Sequence, residues 1–487
     1  MPGASGVTGA TGARGAVRCA GCDGCGAQGA VRCAGCLRPL DRTASENDCF
    51  PHLCTAPSHL CTAPVAPVAP SHPSHLCTAP HPSHPSHLSH PTHPFYDVAV
   101  NRRALLKDGS MALLALGLTG CATRRSTPAQ AIQGGRVPLR LAPVRVSWDR
   151  IIRATVGLRP HRPSGFVLRA EKLDAKTLIH NYGHGGAGMS LSWGTGQMAA
   201  EMALDQPDRW AAVLGSGVVG LTTARQLQRR GFDVTIYAAT VPPDTTSNMS
   251  LAGFTPTSGL VAFAERTPAW DEQFRRAVEI AYRQLQLLVG PKYGISWIYN
   301  YSPTESPQSA LGTNTLLPES VTTGSIVLQP GEHPFPSTYA IERPEMRIEP
   351  SIYLDALTQD VVTHGGRIRI RRFETAREVA ALEEPVIVNC TGLGAKALFG
   401  DPELVPLKGQ LIVLLPQDEV TYSTIGGVSI PTSQQGLFIH MMPRRDGIVL
   451  GGTSERDVWT MEVNDAERTR VVEGHRALFG NWVRQVR

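Results

Sequence analysis

The sequence has little cysteine over most of its length and contains no long apolar run. Of the 11 cysteines, only Cys121 and Cys390 lie beyond residue 78, so the body of the chain has no disulfide framework. No run of about 18 apolar residues occurs, which predicts that no helix spans a membrane. A net charge of +5 over 487 residues is mild and gives no reason to expect a nucleic-acid partner.

Residues 1–97 also contain few large apolar side chains and consist largely of short repeats. Gly15–Cys22 recurs at Gly29–Cys36, and Ser58–Pro64 recurs at Ser74–Pro80. Such a segment buries too little apolar surface to offset the entropy lost on ordering. We therefore predict a low-complexity extension that is disordered or belongs to an over-extended gene start.

Two Cys-x-x-Cys pairs in this extension have the spacing of zinc ligands. They are Cys19 with Cys22 and Cys33 with Cys36, and a nearby histidine-rich tract could add ligands. The pairs lie inside a repeat, which generates this spacing without any selection for metal. A disordered tail is therefore the competing interpretation, and we assign no metal site.

Residues 98–121 resemble an export signal. Asn101–Lys107 contains the adjacent arginines of a twin-arginine motif, Met111–Leu118 is a short apolar stretch, and Cys121 ends a lipoprotein-like cleavage box. This order predicts a periplasmic or membrane-anchored protein with a lipid on Cys121. A chance arginine pair before a small apolar helix is the alternative, and the protein would then be cytoplasmic. Because such signals begin a protein, we expect the natural start near Val98 or Val100, at a start codon other than Met.

A glycine-rich turn lies between two predicted strands. Trp210–Leu214 is a short apolar run, Gly215–Gly220 is the turn, Leu221–Arg230 has helical spacing, and Phe232–Tyr237 is the second strand. This context makes the G-x-G-x-x-G pattern specific. The glycines allow a tight turn and let a pyrophosphate approach the amino terminus of the helix. We predict a Rossmann-type dinucleotide site.

One expected part of this site is missing. An acidic residue usually ends the second strand and binds the adenosine ribose. The sequence has Ala238, Ala239 and Thr240 there instead. We expect backbone groups to hold the ribose, and specificity for NAD does not follow from this site.

Four further motifs occur in the same part of the chain: Val156–Pro160, His180–Gly188, Pro242–Asn248 and Val386–Gly392. They resemble four elements of the D-amino-acid oxidase family. In chain order these are its substrate-binding GFRP segment, its carboxyl-terminal signature, its threonine-rich loop and its VNCTG turn. The resemblance covers nearly all of residues 141–487.

The order of these motifs is rotated relative to that family. His180–Gly188 normally follows the dinucleotide fold, but here it precedes Gly215–Gly220. We interpret this order as a circular permutation, since chain ends that lie close together can be joined and the chain opened elsewhere. The join would span Met198 to Arg209, and the opening would fall between Arg487 and about Val144.

The resemblance implies an α/β (α+β, two-domain) fold in which a Rossmann-type FAD-binding domain is interleaved with a mixed-sheet substrate domain. The segments that it implies are 143–171, 266–342 and 403–487 for the substrate domain, 172–265 and 343–402 for the FAD-binding domain, and 122–142 for a linker.

The resemblance also implies the roles of single residues. Arg159 would bind the substrate carboxylate through its guanidinium fork, and the carbonyl of Gly186 would accept a hydrogen bond from the substrate amine. The residues that would hold FAD are Gly185, Gly188, Met189, Ser190, Gly215, Ser216, Gly217, Val219, Gly220, Thr245, Thr246, Ser247 and Cys390.

The implied reaction is oxidative deamination of a D-amino acid. Hydride would pass from the substrate Cα to flavin N5, the imino product would hydrolyse to a 2-oxo acid and ammonia, and oxygen would reoxidise the flavin to give hydrogen peroxide. No protein base is required if the amine enters neutral. The alternatives are a related oxidase or dehydrogenase of glycine or N-methyl amino acids, and a flavin-binding protein with little turnover.

Several side chains have competing structural interpretations. Arg159 could be a surface arginine, and His180 and His184 could bond backbone groups in a glycine-rich turn rather than transfer protons. Cys390 lies in an apolar strand, which predicts a buried small residue rather than a reactive thiol.

The region that carries substrate-binding tyrosines in the family differs here. Phe438 lacks a hydroxyl, and either His440 or the pair Met441 and Met442 would face what a tyrosine faces in the family. Arg444 and Arg445 would favour an acidic substrate or form a solvated turn. The preferred side chain therefore stays open.

Overall fold

A computed structural model describes residues 136–251, 253–307, 315–428, 437–480 and 482. The repeats, the Cys-x-x-Cys pairs and the export-like segment with Cys121 lie outside these residues. Within the described ranges, no helix is long and apolar enough to cross a membrane. Nor does this part of the chain contain a group of three His, Cys, Asp or Glu side chains that could hold a metal ion.

Fifteen strands are formed by the described residues, and they belong to two sheets. In chain order they are β1 Ile151–His161, β2 Val167–Leu173, β3 Lys176–Tyr182, β4 Trp210–Leu214, β5 Asp233–Ala238, β6 Ile295–Thr304, β7 Ile326–Leu328, β8 Tyr339–Ile348, β9 Arg367–Ile370, β10 Val386–Asn389, β11 Val405–Leu414, β12 Tyr422–Val428, β13 Leu437–Arg444, β14 Gly447–Gly451 and β15 Glu455–Arg456.

The α-helices lie between these strands and after the last of them. In chain order they are α1 Gly188–Ala203, α2 Val218–Gln228, α3 Pro268–Leu287, α4 Pro350–Thr363, α5 Ala376–Ala380, α6 Gly394–Phe399 and α7 Asp465–Gly480.

The six-stranded sheet has the order β2-β3-β10-β4-β5-β9. From β3 to β9 neighbouring strands run parallel, and β2 is an antiparallel edge strand. The central strands β4 and β10 are short and almost wholly buried, as parallel strands covered on both faces are. This sheet and its β4–α2–β5 unit confirm the predicted α/β fold with a Rossmann-type half.

Helices α1, α2 and α3 pack closely because small residues line their contacts. A Cβ atom at Gly194 of α1 would lie 1.9 Å from the carbonyl oxygen of Ala277 in α3. A Cβ atom at Gly196 would lie 3.1 Å from the backbone of Thr223 in α2. The segment between α1 and β4 therefore connects α1 to the β4–α2 unit, whose helix packs against it, at the predicted join.

The nine-stranded sheet has the order β1-β11-β14-β13-β12-β6-β8-β7, and β15 pairs with β11. Most neighbours run antiparallel, and β12 runs parallel to β6. On one face, apolar side chains pack with α7 and Trp482 in a separate core that includes Ile439, Met441 and Phe479. Side chains of the opposite face, among them those of Phe438 and His440, contribute to the functional site.

The two sheets use somewhat different chain segments from those that the resemblance implied. Strand β2 was assigned to the substrate domain up to residue 171, but it pairs along its whole length with β3 in the six-stranded sheet. Strand β8 crosses the implied boundary at 343 and pairs throughout with β6. Helix α3 was also assigned to the substrate domain. Its buried residues belong to the core around α1 and α2, since its apolar stripe faces those helices.

Candidate active site

A cavity of about 770 Å³ extends from the carboxyl ends of β4 and β5 to side chains of β1 and β13. Arg159, Arg371 and Arg372 line it, whereas Asp244 supplies the one lining carboxylate among the described residues. The excess of positive charge favours an anionic ligand. The cavity has the size of a small-molecule or cofactor site.

The glycine-rich turn after β4 forms one wall of the cavity. Gly215 has φ +103°, and a Cβ there would lie 2.6 Å from the carbonyl oxygen of Cys390. Gly217 precedes α2 and has no side chain to cap the helix. The amino terminus of α2 lines the cavity. This backbone cradle fits the pyrophosphate of a dinucleotide, which binds at helix amino termini.

Gly220 does not line the cavity, although we assigned it to cofactor binding. A Cβ atom at Gly220 would lie 2.0 Å from the carbonyl oxygen of Gly215. Its role in the structure is to let α2 pack against the turn, which leaves Gly215, Ser216, Gly217 and Val219 as the predicted turn residues that line the cavity.

The threonine-rich loop covers the amino terminus of α2. Thr245, Thr246 and Ser247 all line the cavity, and the Ser247 hydroxyl accepts a hydrogen bond from the backbone N–H of Val218 at 3.0 Å. The loop and the turn therefore form one continuous surface.

The signature turn before α1 reaches the same cavity. Gly185, Gly186, Gly188 and Met189 line it. The turn is fixed by two backbone bonds: the N–H of Gly185 donates to Pro160 at 2.7 Å, and that of Gly186 donates to Ser258 at 3.0 Å. Gly185 has φ +53°, and a Cβ there would lie 1.8 Å from the oxygen of Gly259, so no other residue fits. The structure thus brings both glycine-rich motifs to one site.

Ser190 lies behind the cavity wall rather than on it. Its side chain is 1% exposed, and its hydroxyl accepts a hydrogen bond from the N–H of Thr255 at 2.8 Å. It holds the segment that contains Gly253 and Thr255, both of which line the cavity. Its position differs from the flavin contact that we predicted.

Arg159 lies on β1 at the far end of the cavity. Its Nε donates to the carbonyl of Leu407 at 3.0 Å, and its Nη2 donates to Thr453 O and Ser454 Oγ at 3.2 and 3.3 Å. Burial lowers the pKa of Arg159, and within the described ranges no carboxylate lies beside it to compensate. The Nη1 hydrogens form no bond with any described residue. The guanidinium is therefore oriented by the protein and available to an anion.

The histidines of the signature are structural. Nε2 of His184 is 3.0 Å from the hydroxyl of Thr195, and burial lowers the pKa of His184 to about 3. Nδ1 of His180 accepts from the side chain of Asn389 at 3.0 Å, and burial lowers its pKa as well. Both rings are neutral at pH 7, which agrees with the structural interpretation.

Cys390 and the arginines after β13 have clear structural surroundings. Cys390 lines the cavity beside Gly215, and burial raises the pKa of its thiol to about 12, so the thiol is unreactive. Arg444 pairs with Asp446 at 2.7 Å, and the backbone N–H of Arg445 donates to Glu349. Neither arginine lines the cavity, so neither supports selection of an acidic substrate.

Sequence reasoning missed the residues that orient the predicted ones. Leu407, Thr453 and Ser454 hold Arg159 through long-range pairing, and the backbone carbonyls of Pro160 and Ser258 fix the signature turn. Arg371 and Arg372, at the end of β9, were also missed. The signal in the sequence was this adjacent arginine pair, together with a second strand, β5, that lacks the acidic residue usually found at its end.

Comparison with known proteins gives consistent similarities. The family model described as "DAO: FAD dependent oxidoreductase" matches residues 52–202 and 211–486. The D-amino-acid oxidase of Streptomyces coelicolor is 26% identical over 281 residues, which are 56% of this chain and 79% of that protein. Human D-aspartate oxidase is 26% identical over 266 residues, covering 54% and 73%. The crystal structure of Bacillus cereus glycine oxidase is 14% identical, covers 57% of this chain and 80% of that one, and has a TM-score of 0.41.

Proposed function

Because the chain belongs to the DAO family of FAD-dependent oxidoreductases, we propose that it is an oxidase of D-amino acids. The products would be a 2-oxo acid, ammonia and hydrogen peroxide. The curated relatives support this choice of substrate, since they include enzymes named D-amino-acid oxidase and D-aspartate oxidase.

Arg159 is the observation that carries the proposal. A partly buried guanidinium without a carboxylate partner in the described chain is costly unless a ligand supplies one. Arg159 meets that condition, and three bonds to Leu407, Thr453 and Ser454 fix the plane of its fork. The remaining Nη1 hydrogens, held in that plane, would donate charge-assisted hydrogen bonds to a carboxylate and so fix the position of the adjacent Cα.

The lining residues fit FAD along the rest of the cavity. The Gly215–Val219 turn would hold the pyrophosphate, Thr245–Ser247 would cover it, and Gly185–Met189 would lie beside the ring system. When bound, FAD supplies the hydride acceptor of the reaction. The chain's own task is then to hold the substrate carboxylate at Arg159 and to place the amine near the carbonyl of Gly186.

The cavity offers little for acid–base catalysis. Asp244 belongs to the threonine-rich loop at the amino terminus of α2, and His184 is bonded to Thr195. Burial lowers the pKa of His440 to about 3, which makes it a weak base. We therefore propose that the substrate amine enters neutral and that orientation dominates the rate enhancement.

The test is anaerobic reduction of the purified full-length flavoprotein. Its visible flavin absorbance should bleach on addition of D-amino acids and stay unchanged with their L-enantiomers, and admission of air should restore it with release of hydrogen peroxide. Bleaching by glycine or N-methyl amino acids alone would redirect the proposal to those substrates. A bound flavin that no amine reduces would instead identify a binding protein.

We also propose export, on sequence grounds alone. The arginine pair within Asn101–Lys107 and the box ending at Cys121 motivate a lipid-anchored periplasmic form. Amino-terminal analysis of the natural product tests it, because a mature protein that keeps residues 1–97 would contradict it.

A further inference from the structure

The nucleotide end of the cavity carries arginines where a dinucleotide fold usually carries a carboxylate. Residues 238–240 follow β5, line the cavity and contain no acid. Arg371 and Arg372 follow the neighbouring strand β9 and line the same cavity. In this fold the end of the second strand is where the adenosine ribose is recognised.

Pairing between the two strands places the arginines beside that position. Ala238 is opposite Ile370 in the parallel register, and the N–H of Arg371 donates to the carbonyl of Ala238 at 2.8 Å. The guanidinium of Arg371 lies 4.5 Å from the ring centre of Phe373, a buried residue that also lines the cavity. The Arg371 side chain is thereby supported on one side.

Both guanidinium groups are available to a ligand. The ion pairs of the described residues include Arg367 with Asp233 at 2.8 Å but none with Arg371 or Arg372. The nearby carboxylate of Glu384 accepts a hydrogen bond from Tyr237 at 3.1 Å. The lining carboxylate Asp244 forms no ion pair with either arginine.

Fewer backbone carbonyls are free to accept hydrogen bonds from the ribose than the sequence led us to expect. The carbonyl of Ala238 accepts from Arg371, and that of Thr240 accepts from the hydroxyl of Ser216 at 2.7 Å. A carboxylate would accept hydrogen bonds from ribose hydroxyls, but a guanidinium has only donors. Bound to Arg371 and Arg372, the ribose oxygens would accept hydrogen bonds rather than donate them.

We propose that Arg371 and Arg372 form a donor-only ribose site in place of the missing carboxylate, and that this end prefers an adenine nucleotide with a 2′-phosphate over one with a 2′-hydroxyl. A phosphate accepts several charge-assisted hydrogen bonds from arginine and is the group that arginines recognise in NADP sites. The inference concerns the nucleotide end alone and does not depend on which substrate is oxidised.

The test uses displacement of FAD from dilute holoenzyme, followed by the fluorescence of released flavin. The two displacing nucleotides are adenosine 5′-diphosphate and 2′-phosphoadenosine 5′-diphosphate, which differ only in the 2′-phosphate. The phosphorylated nucleotide should displace FAD at a concentration about tenfold lower, and added salt should reduce the difference. Equal displacement by the two nucleotides would overturn the proposal.

Variants then assign the preference to the arginine pair. The double substitution Arg371→Ala with Arg372→Ala should abolish the preference and weaken retention of FAD by about tenfold. Arg377→Ala, an exposed arginine on α5 that does not line the cavity, is the matched control and should behave as the natural protein. A preference that survives in the double variant would equally overturn the assignment. Because the readout is binding, failure to oxidise D-amino acids would leave this result unaffected.

Discussion

The two sheets build their parts of the cavity in different ways. Apart from Arg371 and Arg372 after β9, the six-stranded sheet contributes mainly backbone: Gly215, Gly217 and Gly185 matter because their main chain comes close to a ligand or to another strand. The nine-stranded sheet contributes side chains, above all Arg159 and His440, held in position by partners far away in sequence. A backbone site leaves glycines at fixed spacing in the sequence, whereas a side-chain site leaves no comparable pattern.

Arg159→Ala should separate most clearly the two halves of the cavity, the one built by the six-stranded sheet and the one built by the nine-stranded sheet. Loss of the fork should lower kcat/KM for the oxidised amino acid by roughly 100- to 1,000-fold, equivalent to about 3–4 kcal/mol, mainly through KM. FAD should be retained, since the six-stranded half is untouched. Steady-state kinetics and the flavin content of the purified variant measure the two halves separately.

Arg159→Lys is the matched control for that substitution. Lysine keeps the charge but lacks the planar fork, so only part of the loss should be recovered. Unchanged kinetics in Arg159→Ala would remove this residue from the substrate site. Loss of FAD in the same variant would show that the two halves are not separable.

The converse substitution is Gly220→Ala in the six-stranded half. Its Cβ would lie 2.0 Å from the carbonyl of Gly215, where backbone on both sides prevents relaxation. We expect a loss of about 3 kcal/mol in the free energy of unfolding and at least tenfold weaker retention of FAD. Denaturant titration and flavin fluorescence give the two values.

Gly231→Ala separates crowding from backbone strain. Gly231 has φ +82°, but a Cβ there meets nothing within 4 Å, so only strain of about 1 kcal/mol is expected. If Gly220→Ala and Gly231→Ala lower the free energy of unfolding equally, Gly220 is not needed for close packing of α2 on the turn.

The same contrast explains how far the sequence could be interpreted. Glycine spacing and apolar runs predicted β4, α2 and β5, because those features depend on local backbone geometry, whereas the adjacency of the two glycine-rich motifs was implied by the family resemblance. Ser190 and Gly220 were predicted to touch the cofactor, but both lie behind the wall, since adjacency in a motif does not fix which way a residue faces. The bonds that orient Arg159 depend on pairing between β1 and β11, whose partners lie about 250 residues apart in the chain, and no local pattern specifies that register.

Acidification provides a smaller effect, to which His440 and His475 contribute in the nine-stranded half as His184 does in the six-stranded half. Burial lowers the pKa of His475 to about 4 and that of His440 to about 3, whereas the ordinary value in the unfolded chain is near 6.5. Below pH 6.5 the unfolded chain therefore binds protons that the folded chain does not. The free energy of unfolding should fall as the pH falls, by up to about 1.4 kcal/mol per pH unit for each such histidine.

Replacing one of these histidines isolates its share of the slope. His475 is fully buried on α7, and its Nδ1 lies 2.7 Å from the carbonyl of Val471. His475→Gln should reduce the dependence of the unfolding free energy on pH between pH 6 and pH 4.5. The reduction should correspond to at most one proton bound on unfolding, whatever the effect of the substitution on stability at pH 7. Denaturant titrations at several pH values supply the slopes. An unaltered slope would mean that His475 is also uncharged in the unfolded chain or is charged in the folded one.

The smallest effect concerns Ser190, at the boundary between the two halves. Its hydroxyl accepts from the N–H of Thr255, so Ser190→Ala leaves a partly buried donor without its partner. This should cost about 1–2 kcal/mol of unfolding free energy. The flavin absorbance spectrum should stay unchanged, because Ser190 does not line the cavity.

Ser192→Ala is a useful comparison on the same helix, since the buried hydroxyl of Ser192 forms no hydrogen bond within the described chain. A spectral shift in Ser190→Ala without loss of stability would restore the flavin contact that the motif suggested. It would also mean that side chains, and not backbone alone, form the part of the cavity wall that the signature turn contributes.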